Sequence, residues 1–132
     1  MNPKDLAAGM VITYPYLWFR ERERGETEGR KSRPTAVAFK IGKALALMPI
    51  STKEPHHQDL AVEVPEIEKR RAGLDISIRQ WIIFDELNID DPTQSYYLED
   101  GSSIGHFSKP FFHRVLNLLK QHVAQIKQVP RR

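Results

Sequence analysis

Arg33 and the pair Ser51-Thr52 have the residue types and the spacing to handle a phosphate. Arg33 stands before Pro34 at the mouth of an apolar run, "PTAVAF", and Ser51-Thr52 follow a second one, "ALALMPI". Both runs have strand length and strand composition, and the turn residues Gly42-Lys43 lie between them. They therefore read as a β-hairpin. Arg33 enters the hairpin and Ser51 leaves it, so a guanidinium and a hydroxyl stand side by side across the ladder. An Arg fork matches phosphate oxygens two at a time, and a hydroxyl adds one hydrogen bond. Pro34 biases Arg33 toward an extended backbone, which makes it a rigid donor. The competing reading is structural: Arg33 pairs with a carboxylate and Ser51-Thr52 form a turn. On pattern alone that is the commoner outcome.

Other chemistries find less support. With no cysteine, disulfides, thiolate zinc sites and a cysteine nucleophile are excluded. His56-His57 is the one adjacent histidine pair. Neighbours on a strand point to opposite faces, so the pair chelates poorly, and neither a metal nor a cofactor is expected. There is no glycine-rich phosphate loop and no GxSxG elbow. Asp85-Glu86 and Asp90-Asp91 read as solvated strand ends and turns.

The net charge is +3, but the distribution is uneven. Residues 1–53 carry ten Lys/Arg and five Asp/Glu, residues 54–100 carry four and twelve, and residues 101–132 carry six and none. Two basic segments flank an acidic middle, and if they meet they make a surface suited to a polyanion. A length of 132 residues suits one domain over 1–132 with a single core. "MNPKDLAAGM" has no apolar signal region, and no apolar run approaches the ~20 residues of a membrane span. The reading is a soluble cytoplasmic protein with no membrane partner.

The elements that must position Arg33 and Ser51 follow from local pattern. Strand one begins at Met10-Val-Ile-Thr-Tyr and continues toward Phe19, with Pro15 confining it to an edge or a bend. Residues 20–32 hold Gly25, Gly29 and a dense run of mixed charge, and read as a long mobile loop. Strands follow at Thr35–Lys40, Ala44–Ile50 and Leu60–Val64, with a polar loop over residues 51–59. Pro65 opens and Gly73 closes a short helix, Glu66–Ala72. Trp81–Phe84 is a buried strand, which Asn88-Ile-Asp-Asp-Pro ends, and Ser95–Leu98 is another short strand. Phe111, Phe112, Val115, Leu116, Leu119, Val123 and Ile126 fall on one helical face. With Ser108 as cap and Pro110 in the first turn, they predict one amphipathic helix over about 109–127. The fold class is mainly β (α+β): a small antiparallel β-barrel with a short internal helix and a C-terminal helix.

The order of these pieces resembles the MazF/PemK toxin family. The resemblance is carried by "Gly9-Met-Val-Ile", "Gly29-Arg-Lys-Ser-Arg-Pro", "Leu47-Met-Pro-Ile-Ser", "Leu60-Ala-Val-Glu-Val", "Ala72-Gly-Leu" and a last helix, over about residues 8–125. It implies an SH3-like barrel, a homodimer, and a metal-independent endoribonuclease that cuts single-stranded RNA under control of a cognate antitoxin protein. It implies Arg33 and Ser51 as the catalytic pair, with Thr52 and Lys31 in support. Adjacent strand residues point opposite ways, so only one of Ser51 and Thr52 faces the site. The RNA 2′-OH attacks the neighbouring phosphorus, and a cyclic phosphate remains on the upstream fragment. Arg33 stabilises the growing charge and protonates the leaving 5′ oxygen through an ordered water, and Ser51 donates a hydrogen bond. Trp18 and Phe19 are candidate platforms for unstacked bases, against a core or dimer-interface reading that is preferred for Tyr16; Arg30, Lys53, His56 and His57 are candidate RNA contacts. No general base is evident. The alternative is a non-catalytic binding protein of the same fold, like relatives that bind DNA gyrase, or an inactive RNA- or protein-binding barrel.

Overall fold

The computed structural model describes residues 6–29, 31–93, 95, 97–98 and 103–131. The chain order is β1 (Met10–Tyr14), α1 (Phe19–Glu23), β2 (Arg33–Ile41), β3 (Ala44–Ser51), β4 (Ala61–Glu63), α2 (Glu66–Ala72), β5 (Trp81–Ile83), β6 (Glu86–Asp90), β7 (Ser103–His106), α3 (Lys109–Gln121) and β8 (Lys127–Pro130). Short 3-10 turns stand at Gln58–Leu60 and Val123–Gln125.

The predicted hairpin forms as β2 and β3, antiparallel, with Thr35 opposite Pro49 and Ile41 opposite Ala44. β1 lies on the far side of β2, with Tyr14 opposite Arg33, and β7 lies beyond β1. β3 is covered on its other edge by two strands at once: β6 along Leu45–Leu47 and β5 at Ile50-Ser51. β4 flanks β5, and β8 runs parallel to β6. The result is a mostly antiparallel eight-stranded sheet with three helices. It is not a closed barrel: among the described residues no ladder joins the edge strands β4 and β7. No helix among them is long and apolar enough to cross a membrane.

The central hairpin is buried on both faces, and its alternation explains how. Ala36, Ala38, Ala46 and Met48 turn to the side covered by α3, where they pack with Phe107, Phe111, Phe112, Val115 and Leu119. The small alanines let the helix approach the sheet. Val37, Leu45 and Leu47 turn the other way, against Ile12, Tyr14, Tyr16 and Trp18. Each large apolar side chain so buried contributes about 1.5–3 kcal/mol. Ser108 caps α3, its Oγ accepting from Phe111 N at 3.4 Å, and Pro110 sits in the first turn as predicted. Glu68 of α2 clamps the same cap, accepting from Ser108 N at 2.8 Å and Ser108 Oγ at 2.6 Å. Gly73 ends α2 in the left-handed conformation (φ 74°), as its position predicted.

Several expectations are corrected. Strand one stops at Tyr14, because Pro15 has no N–H to extend the ladder. The charged stretch after it is not a free loop. It begins with α1 and returns so closely to the chain that a Cβ on Gly29 would lie 2.2 Å from Pro15 O and 2.6 Å from Tyr16 O. Gly29→Ala is therefore expected to cost about 1–3 kcal/mol in urea unfolding, the range of overpacked sites. Trp81–Phe84 does not end at Asn88. The chain resumes as β6, and a step of three along β3 from Leu47 to Ile50 is matched by six from Ile82 to Asn88. The extra residues form a bulge around Phe84-Asp85.

Ser95–Leu98 is not a strand in its described residues. Ser95 Oγ donates to Asp90 Oδ2 at 2.7 Å and accepts from Tyr97 N at 3.0 Å, so a side chain takes the bond a ladder needs. The last helix ends at Gln121 rather than 127, and Val123, placed on its apolar face by periodicity, is 65% exposed. Beyond it the free edge of β6 offers hydrogen bonds that draw the chain into β8, with Val129 fully buried.

Candidate functional site

Arg33 opens β2 where that strand pairs with Tyr14, and Ser51 closes β3. The hairpin ladder ends at Thr35–Pro49, two residues short of Arg33 and Ser51, which stand at its outer ends. The two residues border one cleft of about 780 Å³. β3 and the polar loop after it supply Ser51, Thr52, Lys53, His56 and His57. The segment before β2 supplies Lys31, and the chain after β1 supplies Trp18, Arg20 and Glu21. Leu60 and Ile83 give an apolar floor, and the β5–β6 bulge adds Asp85 and Glu86.

Arg33 is half-buried, and its Nε is buried with no hydrogen-bond partner. Burial lowers its pKa from the ordinary value, while Glu21 acts in the opposite direction. The guanidinium remains charged at any physiological pH. It lies over the Trp18 ring at 5.1 Å, and Arg20 lies over the same ring at 5.0 Å. Trp18 borders the cleft but is 9% exposed, with two guanidiniums about 5 Å from its ring centre. Phe19 does not border the cleft; it is half-buried, with Lys127 Nζ 4.5 Å from its ring centre. Tyr16 is core, at 1% exposure. Arg30 lies outside the described residues.

Ser51 is buried and Thr52 exposed, and both border the cleft because β3 ends at Ser51 and strand alternation lapses there. Ser51 Oγ accepts from Lys53 N at 3.0 Å. Its hydroxyl also donates to Lys53 O at 3.3 Å, so Ser51 forms the turn that the competing reading predicts while bordering the cleft.

The sequence reads Asp85-Glu86 as a solvated strand end, yet both border the cleft. Four carboxylates border the cleft (Glu21, Glu54, Asp85 and Glu86), against four cations (Arg20, Lys31, Arg33 and Lys53). Only the register change between β5 and β6 brings Asp85 and Glu86 inward, and no local pattern announces a bulge. One Asp85 oxygen, Oδ1, is buried without a partner. Glu86 is a scaffold residue: its Oε1 accepts from Phe19 N at 2.9 Å and Tyr16 OH at 3.1 Å. Burial raises the Glu86 pKa, with the Phe19 and Tyr16 hydrogen bonds opposing. It also drives the Tyr16 hydroxyl well above its ordinary value.

A carboxyl whose folded pKa is raised binds protons more tightly folded than unfolded, so stability falls as pH climbs from the ordinary value through the raised one. Glu86→Gln keeps the accepting oxygen and removes that penalty. Its melting temperature is expected to exceed wild type at pH 7 and to converge with it below about pH 4. A constant difference across that range would remove Glu86 ionisation from the account.

No protein-family model matches this chain, and no curated protein matches it significantly.

Proposed function

We propose that this protein is a metal-independent endoribonuclease for single-stranded RNA, the toxin of a toxin–antitoxin pair, working as a homodimer held in check by its cognate antitoxin. The observation that carries the reading is Arg33: a seated guanidinium with an unpartnered buried Nε, in a cleft that also holds Ser51, Thr52, Lys31 and Lys53. The ordered resemblance to MazF/PemK toxins supplies the reaction.

In that reaction the 2′-OH oxygen bonds to phosphorus and the bond to the 5′ oxygen breaks. The products are a 2′,3′-cyclic phosphate and a free 5′-hydroxyl. Arg33 stabilises the charge on the non-bridging oxygens, and a hydroxyl adds a hydrogen bond, from Thr52 or from Ser51 once it exchanges its bond to Lys53 O for one to the phosphate. Asp85 provides the carboxylate needed to take up the 2′-OH proton, and a water held by Arg33 gives a proton to the leaving 5′ oxygen and is reprotonated by way of Asp85, so the proton count balances. Because the nucleophile is the 2′-OH, DNA is not cut. The test incubates purified protein with single-stranded RNA in EDTA, beside the same strand carrying 2′-deoxy sugars and beside Arg33→Ala. Cleavage only of RNA, and only with Arg33 present, supports the reading; cleavage of the deoxy strand removes it.

The second reading, a non-catalytic binding protein, is favoured by the four carboxylates in the cleft and by the use of Ser51 Oγ in a turn. Salt-dependent RNA affinity with no cleavage selects it.

A further inference from the structure

Between Pro15 and Phe19 the chain crosses the interior outside any strand, and side chains take up its backbone groups in place of a ladder. Leu17 N donates to Asn88 Oδ1 at 2.8 Å, and Asn88 Nδ2 donates to Leu17 O at 2.7 Å. Phe19 N donates to Glu86 Oε1 at 2.9 Å. Pro15 O accepts from Arg131 Nη1 at 2.7 Å, across a sequence separation of 116 residues. Asn88 and Glu86 belong to β6. Arg131 directly follows β8, the strand laid along the edge of β6.

Arg131 is 8% exposed. Nη1 also reaches Asn88 Oδ1 at 3.2 Å, and the guanidinium lies over Tyr97 at 4.2 Å and Tyr14 at 5.2 Å. Its Nε and Nη2 are buried without partners, a cost that a purely apolar side chain avoids. At the other end of β8, Lys127 covers the Phe19 ring. The last strand therefore grips both ends of the segment that carries Trp18, and Trp18 is the seat of Arg33.

We infer that Arg131 is a positioning residue for the cleft: it locks Pro15–Trp18 in place and thereby sets where Arg33 sits. The effect on cleavage rests on the ribonuclease reading; the positioning itself is measured without RNA. The two tryptophans, Trp18 and Trp81, make the measurement selective. With 5-fluorotryptophan incorporated, Arg131→Met is expected to move the Trp18 fluorine resonance and raise its solvent isotope shift, while Trp81 stays unchanged. Arg131→Lys, which keeps one donor, restores part of the change. In the cleavage assay, kcat is expected to fall roughly tenfold in Arg131→Met, with KM little altered, because a displaced catalytic group loses rate before affinity.

An unchanged Trp18 resonance in folded Arg131→Met, or equal shifts at Trp18 and Trp81, overturns the inference. If Arg131→Met does not fold, Arg131→Lys is read in the same way. If neither folds, Arg131 is a core stabiliser and the inference is overturned. A wild-type protein that cuts no RNA defeats the ribonuclease reading alone, because the two resonances still decide the positioning.

Discussion

Arg33→Ala is expected to slow cleavage of single-stranded RNA by about 10²–10³-fold, or 3–4 kcal/mol of barrier, the usual worth of a preorganised donor to a developing oxyanion. The size follows from the setting of the group. Arg33 is half-buried and seated on Trp18, and its Nε has no competing partner, so little reorganisation is needed when charge grows on the phosphate. The loss should fall on kcat, because that charge is larger in the transition state than in the bound substrate. Arg33→Lys keeps the charge but lacks the planar fork and stacks less well, so it should recover only a minor part of the rate. The fold should survive, since a partly exposed cation–π contact contributes only about 0.5–1 kcal/mol. Single-turnover kinetics in EDTA measure the effect, with melting curves as the control. Equal rates for Arg33→Ala and wild type would take Arg33 out of the mechanism.

Asn88→Ala is expected to be the most damaging single truncation in the scaffold. Asn88 is fully buried and holds Leu17 N, Leu17 O and Arg131 Nη1. Removing the amide strands a backbone donor and a backbone acceptor in the interior, each costing about 1–3 kcal/mol. A total loss of roughly 3–5 kcal/mol is a large share of a typical domain's 5–15 kcal/mol. Asn88→Asp separates the two backbone bonds: one carboxylate oxygen still accepts from Leu17 N, while the other faces Leu17 O with no hydrogen to offer. It should fall between wild type and Asn88→Ala in urea unfolding. A loss below about 1 kcal/mol in Asn88→Ala would mean that water replaces the amide at Leu17. Because Leu17 precedes Trp18, any folded Asn88 variant should also weaken the Arg33-dependent rate.

Most of the strands that build the cleft were legible in the sequence. "PTAVAF" and "ALALMPI" flank a turn pair, and Arg33 and Ser51 stand at the outer ends of the hairpin they form. The caps at Ser108 and Gly73 were equally legible, because capping is a matter of a few adjacent residues. The misses share one cause. The β5–β6 bulge, the shortened last helix and the parallel strand β8 depend on partners distant in sequence. Asn88 and Arg131 look like surface residues until β6 and β8 are laid side by side.

The sequence by itself determined the hairpin, the helix α3 through Gln121, and the placing of Arg33 and Ser51 at the outer ends of the hairpin. Those features rest on alternation, helical periodicity and turn chemistry, all local. Tertiary structure alone decided that Trp18 seats Arg33, and that Asp85 and Glu86 border the cleft. It alone decided that the segment after β1 hangs on side chains from β6 and β8 in place of a ladder. Hydrogen bonds between groups 67 to 116 residues apart leave no periodic trace in the sequence. They form only once the sheet has brought their elements together.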